Sequence, residues 1–265
     1  MLTGRQPGMT SSRIVRCTSA IAALAAFAGS ASGGADYARE ERWAQEIVPA
    51  VVVGEPVYLV TPSRPRVLAL YTEAVKAGGG ATRGVIILHG IGVHPDWGLI
   101  GGLRSGLADA GFTTLSVQMP VLAADAQRDA YAALFPEASE RIVAAIVFLH
   151  DRGVGHIAIV AHSMGAAMAD AYLVTRATAK VDAFVPIGMQ IDFAAPPRVP
   201  VLDVAAENDS PQVRDALPKR APKLPRDSCS KQIVIAGTDH YMENRQNELV
   251  AAIAPFLKRA LAGGC

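Results

Sequence analysis

At 265 residues, 51% of them hydrophobic and 18% charged, the chain is long enough to bury the core of one domain of ordinary size. A formal charge of +1 excludes the strong field expected of a nucleic-acid-binding protein. The sequence carries no internal repeat and no composition shift that would mark a second domain.

The chain opens with the three-part plan of a secretory signal: Arg13 and Arg16, an apolar run over 21–28, and small residues over 29–31. Cleavage is expected after Ala31, or as late as Ala35, leaving 36–265 as a single domain, with translation beginning at Met1 or Met9. The run is too short for a stable membrane anchor, so no transmembrane segment is expected after cleavage. Removing 1–31 takes away three arginines and no acids, which leaves 22 basic against 24 acidic residues and a mature formal charge of −2. Cys17 falls inside the signal, with Arg16 where a lipoprotein needs a small residue. Cys229 and Cys265 remain, an even count that suits one disulfide in a periplasmic or secreted protein. Such a bond would enclose His240 and tie the last helix back to the domain.

Residues 38–50 read as an amphipathic helix, and 57–62 and 66–72 as edge strands interrupted by Pro62 and Pro65. A Gly-rich turn over 73–83 leads to the buried-strand pattern Val85-Ile86-Ile87-Leu88, followed by His89-Gly90-Ile91-Gly92. Asp96 is placed to cap a helix whose Ile100, Leu103 and Leu107 recur at helical spacing and which Gly111 closes. After a strand over 113–118, the loop 121–136 carries Asp125, Arg128, Tyr131 and Phe135 and is the expected partial lid. A helix near 137–151 follows.

The run 157–161 is short and apolar, and it passes through His162-Ser163 at once into Met164-Gly165-Ala166-Ala167. A strand that turns sharply into a helix at a serine lifts the hydroxyl out of the sheet, and small neighbours leave room for the strained turn. The general pattern is Gly-x-Ser-x-Gly, with Ala161 here in the place of the first glycine. Alone, the pattern also fits an ordinary strand followed by a serine-capped helix.

A helix near 164–177 and a strand over 183–188 lead through the Pro-rich 196–200 to a strand over 199–206, with Asp203 in its middle and Glu207-Asn208-Asp209-Ser210 as its exit loop. Arg214, Lys219, Arg220, Lys223 and Arg226 read as a basic, Pro-rich surface loop, able to meet anionic envelope polymers or lipid headgroups. The strand over 232–236 ends in Gly237-Thr238-Asp239-His240. The last helix, near 243–261, turns Leu249, Ile253, Phe256 and Leu257 inward and meets a distortion at Pro255. Ser163, Asp209 and His240 thus each lie just past the carboxyl end of a predicted strand, where open α/β sheets gather their chemistry.

Taken together, the elbow, the His-Gly loop after an earlier strand and the Ser, Asp, His order resemble an α/β hydrolase. Arg39-Glu40-Glu41-Arg42-Trp43-Ala44, His89 through Trp97, Leu115 through Pro120 and Pro200-Val201-Leu202-Asp203 are similar, more narrowly, to a little-characterised family of exported bacterial proteins of that superfamily, over most of the chain after the signal. The Ala-His-Ser-Met-Gly elbow is also similar to that of some small bacterial lipases. The resemblance implies a mostly parallel central sheet flanked by helices. Only about a dozen residues separate the strands ending near Gly188 and beginning near Pro200, so no large cap domain fits there and the site should be open.

On this reading Ser163 is the nucleophile, His240 the base and Asp209 the acid, with the backbone amides of Met164 and Ile91 as the oxyanion hole and no cofactor. Asp203 is the alternative acid; Asp239 adjoins His240 and is badly placed to face it. His162 should pack beside the elbow, and His89 should be a structural hydrogen-bonding residue. His94 with Asp96 offers only two ligands, so no metal site is expected. His150 and His156 flank a turn at the surface. Trp97 and Tyr131 are the candidate substrate contacts. The expected activity is hydrolysis of a carboxylic ester, with a small acyl ester, a lipid or an acylated envelope glycan as partner; the alternative is a non-catalytic hydrolase-fold protein that binds an envelope partner. The sequence leaves the oligomeric state open.

Overall fold

The computed structural model describes residues 1–4, 34–75, 82–175 and 180–265, so the signal-like segment, Cys17 and most of the turn over 73–83 lie outside the described residues. Eight strands form one sheet in the order β1-β2-β4-β3-β5-β6-β7-β8. β1 (Glu55–Leu59) pairs antiparallel with β2 (Val67–Thr72), and β2 antiparallel with β4 (Thr113–Val117). The remaining pairings, through β3 (Thr82–Leu88), β5 (Val154–His162), β6 (Ala183–Ile187), β7 (Leu202–Asn208) and β8 (Lys231–Asp239), are parallel. The sequence expectation of two edge strands near the start is corrected here: β2 lies inside the sheet with every residue buried, and only β1 and β8 are edges. The prolines that suggested an edge fall in the β1–β2 connection, where no ladder bond is lost.

Helices cover both faces, because parallel strands need crossovers and each crossover must bury an apolar stripe. α3 (Phe135–His150) and α4 (Met164–Thr175) pack on one face with Ile86, Leu88, Leu115 and Ile159. α2 (Gly98–Asp109) and α6 (Gln246–Ala260) pack on the other with Val85, Ile87, Val160 and Val185. The alternation of β3 between the two clusters is the period-2 pleat of a strand covered on both sides. Among the described residues, no helix is long and apolar enough to cross a membrane.

α1 (Tyr37–Ile47) is capped by Asp36, whose carboxylate accepts from the Arg39 amide at 2.9 Å, and buries Ala44 and Ile47 against Leu68 and Leu70. It is pinned by a buried ion pair: the fully buried Arg141 of α3 donates to both oxygens of Glu40 at 3.0 Å, and to Glu137 and the Gln118 carbonyl. Burial pushes the Glu40 carboxyl up, and Arg141 and Arg64 oppose that shift. This accounts for Glu40 within the charged run 39–42.

Three further expectations need correction. Asp96 does not cap α2; its carboxylate takes the Arg104 guanidinium, a charge-assisted bond that outcompetes a neutral amide, and Trp97 stands at the N-cap without a side-chain bond. The basic stretch after Asp209 is not a loop but α5 (Pro211–Arg220), with Val213, Ala216 and Arg220 buried at helical spacing. Pro211 sits at its first turn, where the missing N–H costs nothing. The last helix begins at Gln246, because Met242 and Asn244 adopt φ of +52° and +57° and break the pattern upstream; it then runs on through Pro255.

Between β6 and β7 the chain forms neither helix nor strand, so no cap domain is inserted at that crossover. The Cys229–Cys265 disulfide, with Cα atoms 5.4 Å apart and a sequence separation of 36, ties the chain end to the start of β8. Closing a loop of that length stabilises a domain by roughly 3–4 kcal/mol through the unfolded chain.

Candidate active site

Apolar residues carry β5 through the middle of the sheet, and α4 begins one residue after the serine. At the join Ser163 takes φ +54°, the left-handed region that a residue with a Cβ enters at a cost. Two glycines make this turn fit. A Cβ on Gly165 would lie 2.4 Å from the His89 carbonyl oxygen, and one on Gly90 would lie 2.9 Å from the Ser163 Cβ. The third small position, Ala161, is buried and tolerates its methyl group.

Ser163 Oγ lies 3.0 Å from His240 Nε2, and His240 Nδ1 lies 2.7 Å from Asp209 Oδ1. β8 delivers the histidine and β7 the aspartate, with Asn208 and Asp239 in register. Asp209 also accepts from the Ser210 amide at 2.8 Å and the Ala206 amide at 3.2 Å. Burial alone would raise its carboxyl, but the imidazole N–H and the two amides outweigh it and hold it below the usual carboxylate range. An ionised Asp209 fixes the histidine proton on Nδ1 and leaves Nε2 free to accept from the serine hydroxyl. Gly188, at φ +58°, lies directly against this pair: a Cβ there would be 3.0 Å from the imidazole.

The other histidines around the elbow hold backbone in place. Burial lowers His89 to about 3, so its ring stays neutral; Nδ1–H donates to the Gly90 carbonyl at 2.8 Å and Nε2 accepts from the Met119 amide at 2.9 Å. The Gly90–Ile91 peptide is therefore fixed through its oxygen, and in a trans peptide the Ile91 N–H points the opposite way. Gly90 itself approaches the elbow closely, its would-be Cβ lying 2.9 Å from the Ser163 Cβ. The Met164 amide is the first of α4 and precedes the helix's own ladder. His162, lowered by burial to about 4, donates from Nε2 to the His240 carbonyl at 2.9 Å and packs on the His240 ring at 4.8 Å. Two histidines kept neutral make acid costly: as pH falls below the ordinary histidine value the unfolded chain takes up protons that the folded one refuses.

A family model described as "Protein of unknown function (DUF3530)" matches residues 61–140. No functionally curated protein matches by sequence. Solved structures match over most of their own length. Est1E from Butyrivibrio proteoclasticus is 15% identical with a TM-score of 0.61, covering 78% of this chain and 99% of its own. XC6422 from Xanthomonas campestris, described as a serine hydrolase without lid, is 14% identical with a TM-score of 0.63, covering 80% and 96%. The putative α/β hydrolase ATU1826 from Agrobacterium tumefaciens is 19% identical with a TM-score of 0.62, covering 78% and 97%. The chain has the α/β-hydrolase fold.

Within that α/β-hydrolase fold, Asp203 and Asp209 are separated by their partners. Asp203 is fully buried and takes Arg220 on both oxygens, at 2.8 and 3.0 Å, together with Gln232 at 2.8 Å. Asp239 turns back to accept from the Tyr241 amide at 3.0 Å. Tyr131 is not a surface contact: it is 1% exposed in the core, its hydroxyl accepting from the Leu122 amide at 3.3 Å. Its helical turn, Arg128–Leu134, drives the ring inward against α3. Trp97 does stand near the site, edge-on to Tyr241 at 5.5 Å, and Tyr241 is 44% exposed beside His240. His94 accepts from the Asp96 amide and packs on Trp43; among the described residues no cluster of three ligating side chains exists. His150 is half-buried, bonded to the Val154 carbonyl at 2.8 Å, and His156 lies exposed near Asp182.

Sequence reasoning missed Tyr241 and Arg220. Arg220 also donates to the Met189 and Ile191 carbonyls at 2.8 Å, holding the strand-exit loop that carries Gly188. A buried mid-strand Asp203 needs a cation, and Arg220 at helical spacing from Val213 and Ala216 was the signal that could have supplied it.

Proposed function

We propose that this protein is an exported serine hydrolase of carboxylic esters, acting through Ser163, His240 and Asp209. The observation that carries this reading is the unbroken chain of contacts, 3.0 Å from Ser163 Oγ to His240 Nε2 and 2.7 Å from Nδ1 to Asp209, set on a serine at positive φ.

Ser163 Oγ attacks the ester carbonyl carbon as His240 Nε2 takes its proton. The oxyanion accepts from the Ile91 and Met164 amides, each donor lowering the barrier by about 3–4 kcal/mol. When the tetrahedral carbon collapses, the C–O bond to the alcohol breaks and the imidazolium returns the proton to that oxygen. Water, deprotonated by the same histidine, then cleaves the acyl-serine. Asp209 stabilises the imidazolium throughout without taking the proton. No cofactor enters any step.

The uncovered rim admits a small acyl ester, a lipid or an acylated envelope glycan. The test is turnover of 4-nitrophenyl butyrate that disappears in Ser163→Ala.

His89 is a positioning residue for the oxyanion donor. His89→Ala should lower kcat by about 10–100-fold with KM nearly unchanged, as loss of alignment at one donor does. A parallel rise in KM with unchanged kcat would make the residue a packing element only. Removal of the signal and oxidation of the cysteines belong to the same proposal. Mass spectrometry of protein recovered from the periplasm or medium should show loss of about the first 31 residues and a bonded Cys229–Cys265 pair. An intact N-terminus with two free thiols would overturn export.

A further inference from the structure

Arg128 stands on the loop after β4 and reaches the loop after β6, where its Nη1 donates to the Gln190 carboxamide oxygen. In the sheet order, β3 and β5 lie between β4 and β6. The contact therefore joins the strand-exit loops on either side of the two strands that carry the His89–Gly92 loop and Ser163. Gln190 is two residues past Gly188, which lies against His240.

The guanidinium is poorly compensated for its setting. Among the described residues no carboxylate lies within ion-pair distance of it, its Nη2 is closed off from solvent without a hydrogen-bond partner, and its one recorded acceptor is a neutral amide. Burial pulls its pKa down, opposed only by the charge of the neighbouring Asp129. A half-buried guanidinium held by one neutral oxygen is a strong binding position for an anion, because a carboxylate can take two parallel N–H donors where the amide takes one.

The side of the site is also fixed. Tyr131 and Leu134, on the same helical turn as Arg128, and Met189, beside Gln190, pack in the cluster of the α3–α4 face. Trp97 packs against the cluster of the α2–α6 face, and it meets Tyr241 beside His240. In the mechanism proposed above His240 hands the proton to the leaving alcohol, which assigns the Trp97–Tyr241 side to the alcohol and leaves the Arg128 side to the acyl group.

We propose that Arg128 is the recognition element for a carboxylate carried at the far end of the substrate's acyl chain, so that half-esters of dicarboxylic acids are the preferred substrates. The carboxylate displaces the Gln190 side chain and takes both Nη atoms. This rests on the serine-hydrolase reading above.

The test compares matched pairs of 4-nitrophenyl esters, the monoesters of glutaric, adipic and suberic acid against pentanoate, hexanoate and octanoate, with Ser163→Ala as the blank for spontaneous hydrolysis. The wild type should favour the anionic member of at least one pair by tenfold or more in kcat/KM, and the ratio should fall with added salt. Arg128→Gln should reduce that ratio at least tenfold, and Arg128→Lys should keep part of it. Gln190→Ala, which leaves the guanidinium in place and removes its competitor, should raise it. Equal ratios in wild type and Arg128→Gln, or a wild-type preference for the neutral esters, would overturn the proposal. If no ester is cleaved, the hydrolase reading fails instead, and calorimetry with free adipate decides the anion site: binding by wild type that Arg128→Gln loses supports it, and no binding by wild type overturns it.

Discussion

Asp209→Asn should lower kcat for 4-nitrophenyl butyrate by about 10,000-fold, and Ser163→Ala or His240→Ala by about a million-fold, in protein that still folds. The asparagine keeps the shape of the acid but donates where a carboxylate accepts, so the imidazole is turned to the tautomer whose Nε2 bears the proton and cannot accept one from Ser163. The Ala206 amide, which donates to Oδ2, can still be met by the asparagine carbonyl; the Ser210 amide, which shares Oδ1 with the imidazole, loses its acceptor, a structural cost of about 1–3 kcal/mol that is small beside the loss of turnover. Circular dichroism and steady-state kinetics on the three variants check this. Full turnover in Asp209→Asn would remove it from the mechanism.

Asp203 should behave in the opposite way. Its carboxylate and Arg220 form a buried pair that also orders Gln232 and the carbonyls of Met189 and Ile191. Asp203→Ala or Arg220→Ala alone strands a charge away from water and should cost about 3–5 kcal/mol of unfolding free energy. The double variant Asp203→Ala/Arg220→Ala, which leaves no buried charge, should be less destabilised than the sum of the two single changes. Urea denaturation of the four proteins reads the coupling directly. Activity in Asp203→Ala should fall only as far as the 188–191 segment loosens; loss as deep as that of Asp209→Asn, in a variant that remains folded, would exchange the roles of the two acids.

The features legible in the sequence are those that local pattern determines. A strand that fills both faces of a sheet is apolar throughout, a serine between small residues can turn at once into a helix, and each shows within a ten-residue window, as at 157–167. What stayed out of reach depends on partners distant in the chain. Asp203 and Asp209 differ by one turn of strand and loop, and only the arrival of Arg220 and His240 from elsewhere separates a buried ion pair from an acid facing an imidazole. α5 was hidden because Pro211 and Pro218 suggest a loop, although a proline in the first turn is compatible with a helix and the apolar spacing was present. Tyr131 and Tyr241 look alike in sequence, yet one faces the core and the other the site, a difference set by the helical turn at Arg128–Leu134 and by the strand exit after His240.

The open rim and the Arg128–Gln190 contact bear on specificity, while the central claim concerns the nucleophile. It is tested most directly by treating folded protein with a fluorophosphonate and locating the adduct by peptide mass spectrometry. The account predicts one equivalent of label on the peptide containing Ser163, absent from Ser163→Ala and strongly slowed in His240→Ala. A folded, disulfide-bonded protein that takes up no label, or that takes it up at another residue, would contradict it.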